Sequence, residues 1–122
     1  MKVNDIYAYL DQRAPFSIQM DFDNAGFLVG HGERAVSKVL IALDITEEVV
    51  AEAAELGAEL IVSHHPVIFH PVKRIRDNDP NERILLSLIE HRIAAICVHT
   101  NLDAVAGGVN DALAQKLGLA QL

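Results

Sequence analysis

The chain has 122 residues, a net charge of −7 and an apolar fraction of 51%. This length is typical of one domain with a buried core, so we expect a single α/β domain over residues 1–122. Acidic residues are spread along the chain with no basic block, which argues against a nucleic-acid or anionic-membrane surface. No apolar run approaches the ~20 residues of a transmembrane helix and no signal peptide is visible, so we expect a cytoplasmic protein.

The first third of the chain predicts a helix followed by an irregular segment. Asn4 is suited to cap a helix that ends near Arg13. Residues 21–30 then combine acidic turn residues with a short apolar strand closed by glycine. For Asp21 and Asp23 the residue types favour a solvated turn with local side-chain hydrogen bonds.

The pattern becomes regular from residue 38. Residues 39–43 are a continuous apolar run, Thr46 is suited to cap a helix that Gly57 ends, and residues 60–62 are a second apolar run. Strand, helix and strand over about 25 residues predict a βαβ unit with parallel strands and a right-handed crossover.

A second unit follows. Residues 67–76 predict a loop over the strand ends, and Asp79, Pro80 and Glu82 form a helix start with a capping box. Residues 93–98 predict the next strand, with Cys97 as a buried core thiol, and residues 109–117 predict a last helix. The expected fold class is α/β, with βαβ units forming a layered sheet that carries helices on both faces.

Two polar clusters follow predicted strands. Ser63-His64-His65-Pro66 comes after one strand, and His99-Thr100-Asn101-Leu102-Asp103 comes after the other. Because ligands bind outside the carboxyl ends of strands in open α/β sheets, we expect the clusters to converge on one site. Imidazole and carboxylate groups together favour a divalent transition metal.

The spacing of these residues constrains the geometry. Adjacent side chains on a strand point to opposite faces, so His64 and His65 would each take a separate ion unless the backbone turns. Asp103 is the candidate bridge between two ions, and His99 is a further ligand or a supporting partner. The residue types alone leave a second interpretation open, in which these groups form a hydrogen-bonded polar cap over the sheet.

The remaining histidines and the basic residues of the loop have simpler explanations. His91 suits the negative end of a helix dipole, and His31 and His70 lie in predicted loops where a solvated role is favoured. The cations at positions 73, 74 and 76 could engage a phosphate group, although a solvated basic face is the more common outcome.

Three motifs in this order resemble the GTP cyclohydrolase 1 type 2 homologue family, also called the Nif-three-like family. They are DNAGFLVG at residues 23–30, SHHPVIF at residues 63–69, and HTNLD at residues 99–103 followed by GGVN at residues 107–110. The resemblance implies a two-lobed α/β fold, of which this chain is the N-terminal lobe without the C-terminal lobe, and assembly into toroidal homohexamers. It also implies two divalent metal ions, with zinc, manganese or iron favoured by the ligand types.

Carried onto this sequence, the resemblance assigns metal ligation to His64, His65 and Asp103, with His99 close by. The implied function is a metal-dependent hydrolase acting on a nucleotide or phosphoester, and the alternative is a non-catalytic metal-binding scaffold or interaction module. In the family, the second lobe adds a histidine and, four residues later, a glutamate, and no histidine here has that partner. We therefore expect weak metal binding, little turnover and a tendency to self-associate through exposed apolar surface.

Overall fold

The fold is built around one four-stranded sheet. The computed structural model describes residues 1–105, 108, 112 and 116. The strands are β1 (Gly26–Val29), β2 (Val39–Ala42), β3 (Leu60–Ser63) and β4 (Ala94–Cys97). The helices are α1 (Val3–Arg13), α2 (Glu47–Leu56), α3 (Pro80–Glu90) and the one-turn α4 (Thr100–Asp103), with a short 3₁₀ turn at Phe16–Ile18.

The strand order is β1-β4-β3-β2. β2, β3 and β4 are mutually parallel neighbours, and β1 pairs antiparallel with β4 at one edge. The two predicted βαβ units are therefore confirmed as β2-α2-β3 and β3-α3-β4. Their parallel strands carry the residues after Ala42, Ser63 and Cys97 to the same edge of the sheet, which is where the site forms.

Helices cover both faces of the sheet, as the α/β prediction required. On one face, α2 and α3 bury a core against the sheet that includes Val50, Leu88 and Ile61. On the other face, α1 packs through Val3 against Leu60 and Ile96. Removing these side chains from water is the main favourable term that holds the layers together.

The local signals that define α2 and α3 act as the sequence indicated. The Thr46 hydroxyl accepts the Val49 N–H at 3.1 Å, and Gly57 ends α2 with φ 74°. The Asp79 carboxylate accepts the N–H groups of Asn81 and Glu82 at 3.0 and 3.1 Å, which starts α3 at Pro80. None of the helices within the described residues is long and apolar enough to cross a membrane.

Two predicted helix starts differ from the structure. α1 begins at Val3 with Lys2 as its cap, because the Lys2 N–H donates to the Asp5 carboxylate. The Glu82 carboxylate does not complete a capping box but accepts hydrogen bonds from Arg76. The helix turn α4 was not anticipated, and the predicted helix over residues 109–117 lies largely outside the described residues.

The strand β2 forms the other edge of the sheet. Apolar side chains are exposed there, with Ile41 at 79% and Leu43 just beyond the strand at 62%. The continuous apolar run predicted a strand covered on both faces, and only Leu40 and Ala42 are partly buried. Cys97, in contrast, is fully buried, and burial raises the pKa of its thiol, which confirms the prediction of a core cysteine.

Candidate metal centre

Three imidazoles meet at the carboxyl edge of the parallel strands. His64 and His65 follow β3, and His99 precedes α4. The ring centroids are 5.1 Å apart for His64 and His65, 5.1 Å for His64 and His99, and 5.4 Å for His65 and His99. One ring nitrogen from each histidine lies within 4.8 Å of the corresponding nitrogens of the other two. We call these three residues the histidine cluster.

A bend at the end of β3 brings the two adjacent histidines together. The strand ends at Ser63 and the chain bends at His64 and His65. The Ser63 hydroxyl donates to the His65 carbonyl at 2.8 Å, which ties the bend to the strand. The alternation expected of a strand therefore does not apply, and both imidazoles lie on the same side as His99.

Each imidazole is held through its Nδ1 atom. Nδ1 of His64 lies 2.9 Å from the Val98 carbonyl oxygen, Nδ1 of His65 lies 2.7 Å from an Asp44 carboxylate oxygen, and Nδ1 of His99 lies 2.9 Å from an Asp23 carboxylate oxygen. All three partners are acceptors, so each Nδ1 carries the hydrogen and donates it. In a neutral ring held this way, the lone pair lies on Nε2, and this is the form of imidazole that binds a metal.

The Asp23 carboxylate organises the His99 side of the site. Its side chain has no solvent exposure, and it accepts hydrogen bonds from His99 Nδ1, the Thr100 N–H, the Thr100 hydroxyl and the Asn24 N–H at 2.6–3.0 Å. Burial by itself would raise the pKa of Asp23, but the hydrogen bonds from Thr100, His99 and Asn24 outweigh it and lower the pKa from 3.8 to about 2. Asp23 is thus a buried anion, and the solvated turn predicted for it is wrong, whereas Asp21 is exposed.

Asn101 fixes the backbone on which His99 sits. It is fully buried, its side-chain oxygen accepts the His99 N–H at 2.9 Å, and its side-chain nitrogen donates to the Ala14 carbonyl at 2.8 Å. This pair of bonds joins the start of α4 to the end of α1. The orientation of His99 is therefore determined by contacts on both its backbone and its ring.

The fourth predicted ligand, Asp103, is the last residue of α4. The cluster of mutually close ligand atoms among the described residues contains the three histidines and not the Asp103 carboxylate. Metal ligation by His64, His65, His99 and Asp103 stays a prediction.

The sequence predicts that the three other histidines are not metal ligands, and the structure places them away from the histidine cluster. His31 and His70 are exposed in loops. Nδ1 of His91 lies 2.8 Å from the Ser87 carbonyl oxygen at the end of α3, away from the cluster. The supporting roles of Asp23 and Asp44 were missed, although the position of Asp44 directly after an apolar run was a usable signal.

The donor set fits a divalent transition metal. Imidazole nitrogens suit zinc and iron, and nitrogens about 2.1 Å from a tetrahedral ion lie roughly 3.4 Å from one another. The three nitrogens of the cluster lie up to 4.8 Å apart, so a modest movement toward one another would let them bind one ion. The same separation also leaves room for the imidazoles to bind two ions. Supporting carboxylates on the far ring nitrogens, as Asp23 and Asp44 provide, are the usual surroundings of metal-binding histidines.

A mainly parallel α/β sheet with a histidine cluster at its strand ends is the arrangement that the three sequence motifs implied. The chain belongs to the Duf34/NIF3 (NGG1p interacting factor 3) family, whose model matches residues 1–122. The resemblance drawn from the motifs is thereby confirmed.

Individual relatives give the same result. The chain is 45% identical over 118 residues to a GTP cyclohydrolase 1 type 2 homolog of Clostridium perfringens, covering 97% of this chain and 45% of the relative. Protein SA1388 of Staphylococcus aureus matches with a TM-score of 0.92 and 45% identity, over 97% of this chain and 34% of that protein. A Bacillus cereus protein related to NIF3 matches with a TM-score of 0.94 and 41% identity, over 99% and 33% respectively. The chain therefore spans less than half the length of these relatives.

Proposed function

We propose that the chain supplies the histidine side of a divalent metal centre in a metal-dependent hydrolase that acts on a nucleotide or another phosphoester. The observation that carries this proposal is the histidine cluster, in which three imidazoles within mutual reach each have Nδ1 engaged by an acceptor. With Nδ1 of each ring engaged in this way, Nε2 of a neutral ring is left to bind a metal. Metal-binding histidines usually have their other ring nitrogen held by an acceptor in this way.

The residues have distinct proposed roles. His64, His65 and His99 are ligands through Nε2, and Asp103 is the proposed carboxylate ligand. When bound, zinc, manganese or iron ions would supply Lewis acidity that lowers the pKa of a coordinated water toward neutrality. The protein's own contribution is to hold each imidazole in a fixed orientation, with the hydrogen on Nδ1 and the lone pair on Nε2.

Asp23 and Asp44 are the positioning residues of this centre. A carboxylate that accepts the Nδ1 hydrogen increases the electron density on the imidazole and strengthens its bond to a metal. The two carboxylates differ in surroundings, because the Asp23 side chain has no solvent exposure and the Asp44 side chain is 54% exposed. Asp23 is therefore the stronger constraint, since water competes for the hydrogen bond of Asp44.

The complete centre is proposed to contain two ions and to draw further ligands from a second lobe, in a toroidal homohexamer located in the cytoplasm. Such a lobe would account for the extra length of the relatives. On this proposal, the 122-residue chain alone binds metal weakly and turns over little substrate.

The test is metal affinity with matched histidine variants. The chain is titrated with zinc, manganese or iron(II), and binding is measured at equilibrium by calorimetry, which also detects weakly held ions. We expect binding to the wild type, weaker binding to His64→Ala and wild-type affinity for His91→Ala, which removes an equivalent imidazole at the end of α3. Equal affinity of the two variants would contradict the proposed centre.

Hydrolysis is tested separately on the metal-loaded full-length protein, with GTP and a phosphodiester as substrates. Turnover that disappears in His64→Ala supports the hydrolase. Retained metal with no turnover of either substrate would instead support a non-catalytic metal-binding scaffold.

A further inference from the structure

A second concave site lies beside the histidine cluster. It is a cavity of about 430 Å³ between the loop that follows β3 and the first turns of α3. This volume is within the range of roughly 300–1,000 Å³ that is usual for small-molecule sites. Pro66, the residue directly after His65, forms part of its wall, so the cavity and the cluster are built on one continuous stretch of chain. We call it the loop pocket.

Two cations of the loop pocket have no ion-pair partner among the residues that the structure describes. Lys73 and Arg74 both line it, and no carboxylate in the described part of the chain forms an ion pair with either. Their charges are thus available to a ligand.

The acidic residue of the loop pocket is already neutralised. Glu82 lines the cavity, and its carboxylate accepts hydrogen bonds from the Arg76 N–H at 3.0 Å and from the Arg76 guanidinium at 3.1 and 3.4 Å. Arg76 therefore cancels the charge that would repel an anion. The net charge of Lys73, Arg74, Arg76 and Glu82 is therefore positive.

The floor of the loop pocket is apolar and is hydrogen-bonded to the segment that carries Asp23. Val67 and Ile68 pack against the core that contains Leu85, and all three line the cavity. The Asn24 side-chain nitrogen donates to the Ile68 carbonyl at 2.7 Å, and Asn24 adjoins the buried Asp23. The floor and the His99 side of the cluster are consequently held by the same segment.

We infer that the loop pocket binds the phosphate group of a small phosphorylated molecule, through Lys73 and Arg74, with the apolar part of that molecule over Val67, Ile68 and Leu85. Planar guanidinium pairs with phosphate through two parallel hydrogen bonds, and the lysine adds a point charge. This inference rests on the proposed function, since it gives the substrate of the neighbouring metal centre its anchoring site.

The test uses phenyl phosphate, which combines a phosphate with an apolar body, and measures its binding to chelator-treated, metal-free protein by calorimetry. We expect binding that weakens with added salt and no binding of phenol. Arg74→Gln and Lys73→Gln should each weaken binding about tenfold, the loss expected for one charge-assisted contact. Arg13→Gln is the matched control because Arg13 is also exposed but contacts Tyr9 on α1, and it should change affinity less than twofold.

The outcomes separate this inference from the proposed metal centre. Phenyl phosphate binding that is equal in Arg74→Gln, Lys73→Gln and Arg13→Gln overturns the inference even if the protein retains metal. Binding only to metal-loaded protein, without dependence on Lys73 or Arg74, also overturns it. Binding that depends on both cations in protein unable to retain metal supports the phosphate site while the metal centre fails.

Discussion

Replacing Asp23 with asparagine tests whether a buried anion organises the candidate metal centre. Oδ1 of Asp23 accepts from His99 and Asn24, and Oδ2 accepts from the N–H and hydroxyl of Thr100. An asparagine has one acceptor oxygen, so its amino group must face a pair of donors in either orientation. If it faces His99, the imidazole can retain the contact only by moving its hydrogen to Nε2, which removes the lone pair proposed to bind metal.

The magnitude follows from these contacts. A hydrogen bond to a charged group contributes roughly 1.5–3 kcal/mol, so disrupting two of them should lower the free energy of unfolding by about 3 kcal/mol. The pKa gives a similar value, since a shift from 3.8 to about 2 means that folding favours the carboxylate over its protonated form by about 2.5 kcal/mol. Both values describe the loss of the charged acceptor, and both come to about 3 kcal/mol.

The assay is urea denaturation at pH 7, with Asp21→Asn as the control because Asp21 is exposed two residues away. We expect the control to lie within about 0.5 kcal/mol of the wild type, as is usual for surface substitutions. If Asp23→Asn is as stable as Asp21→Asn, the reasoning about the buried carboxylate is refuted. Metal affinity measured on the same samples should also fall for Asp23→Asn and stay constant for Asp21→Asn.

Two further predictions concern carboxylates in other surroundings. Asp44→Asn should weaken metal binding roughly 10- to 100-fold in a chelator competition, because the acceptor for His65 Nδ1 is impaired, while urea denaturation stays nearly unchanged. Unaltered affinity would exclude Asp44 as a positioning residue. The pKa of Glu59 is lowered from 4.5, chiefly by the Ser37 N–H and also by the Lys38 N–H, so its contribution to stability is present at neutral pH and disappears as the pH falls through the folded pKa. Glu59→Gln should therefore cost about 1 kcal/mol in urea denaturation at pH 7 and progressively less as the pH is lowered through the folded pKa, and a cost that does not change with pH would contradict this assignment.

The sheet and its two flanking helices could be predicted because their signals are local. Thr46 and Asp79 cap helices through hydrogen bonds to residues two or three positions away, and apolar runs identify the strands whatever their neighbours are. The parallel pairing of β2, β3 and β4 then follows from the alternation of strands and helices. These features depend on short stretches of sequence that can be recognised in isolation.

The candidate site was only partly predictable for the opposite reason. Asp23 and His99 are 76 positions apart, and a turn aspartate looks the same in sequence whether it is solvated or buried against a distant histidine. The bend that places His64 and His65 on one side depends on the Ser63 side chain and on where β3 ends. Residue types thus identified the imidazoles, while their supporting contacts required the tertiary structure.

The exposed apolar edge at β2 has a practical consequence for handling the protein. An open strand edge with Ile41 and Leu43 in solvent is a template for pairing with another copy. At neutral pH, the net charge of −7 opposes such contacts through repulsion between chains. Lowering the pH toward the isoelectric point of about 5.2 removes that net charge, so concentrated stocks should be purified and stored above neutral pH and at low salt, where the repulsion between chains is greatest.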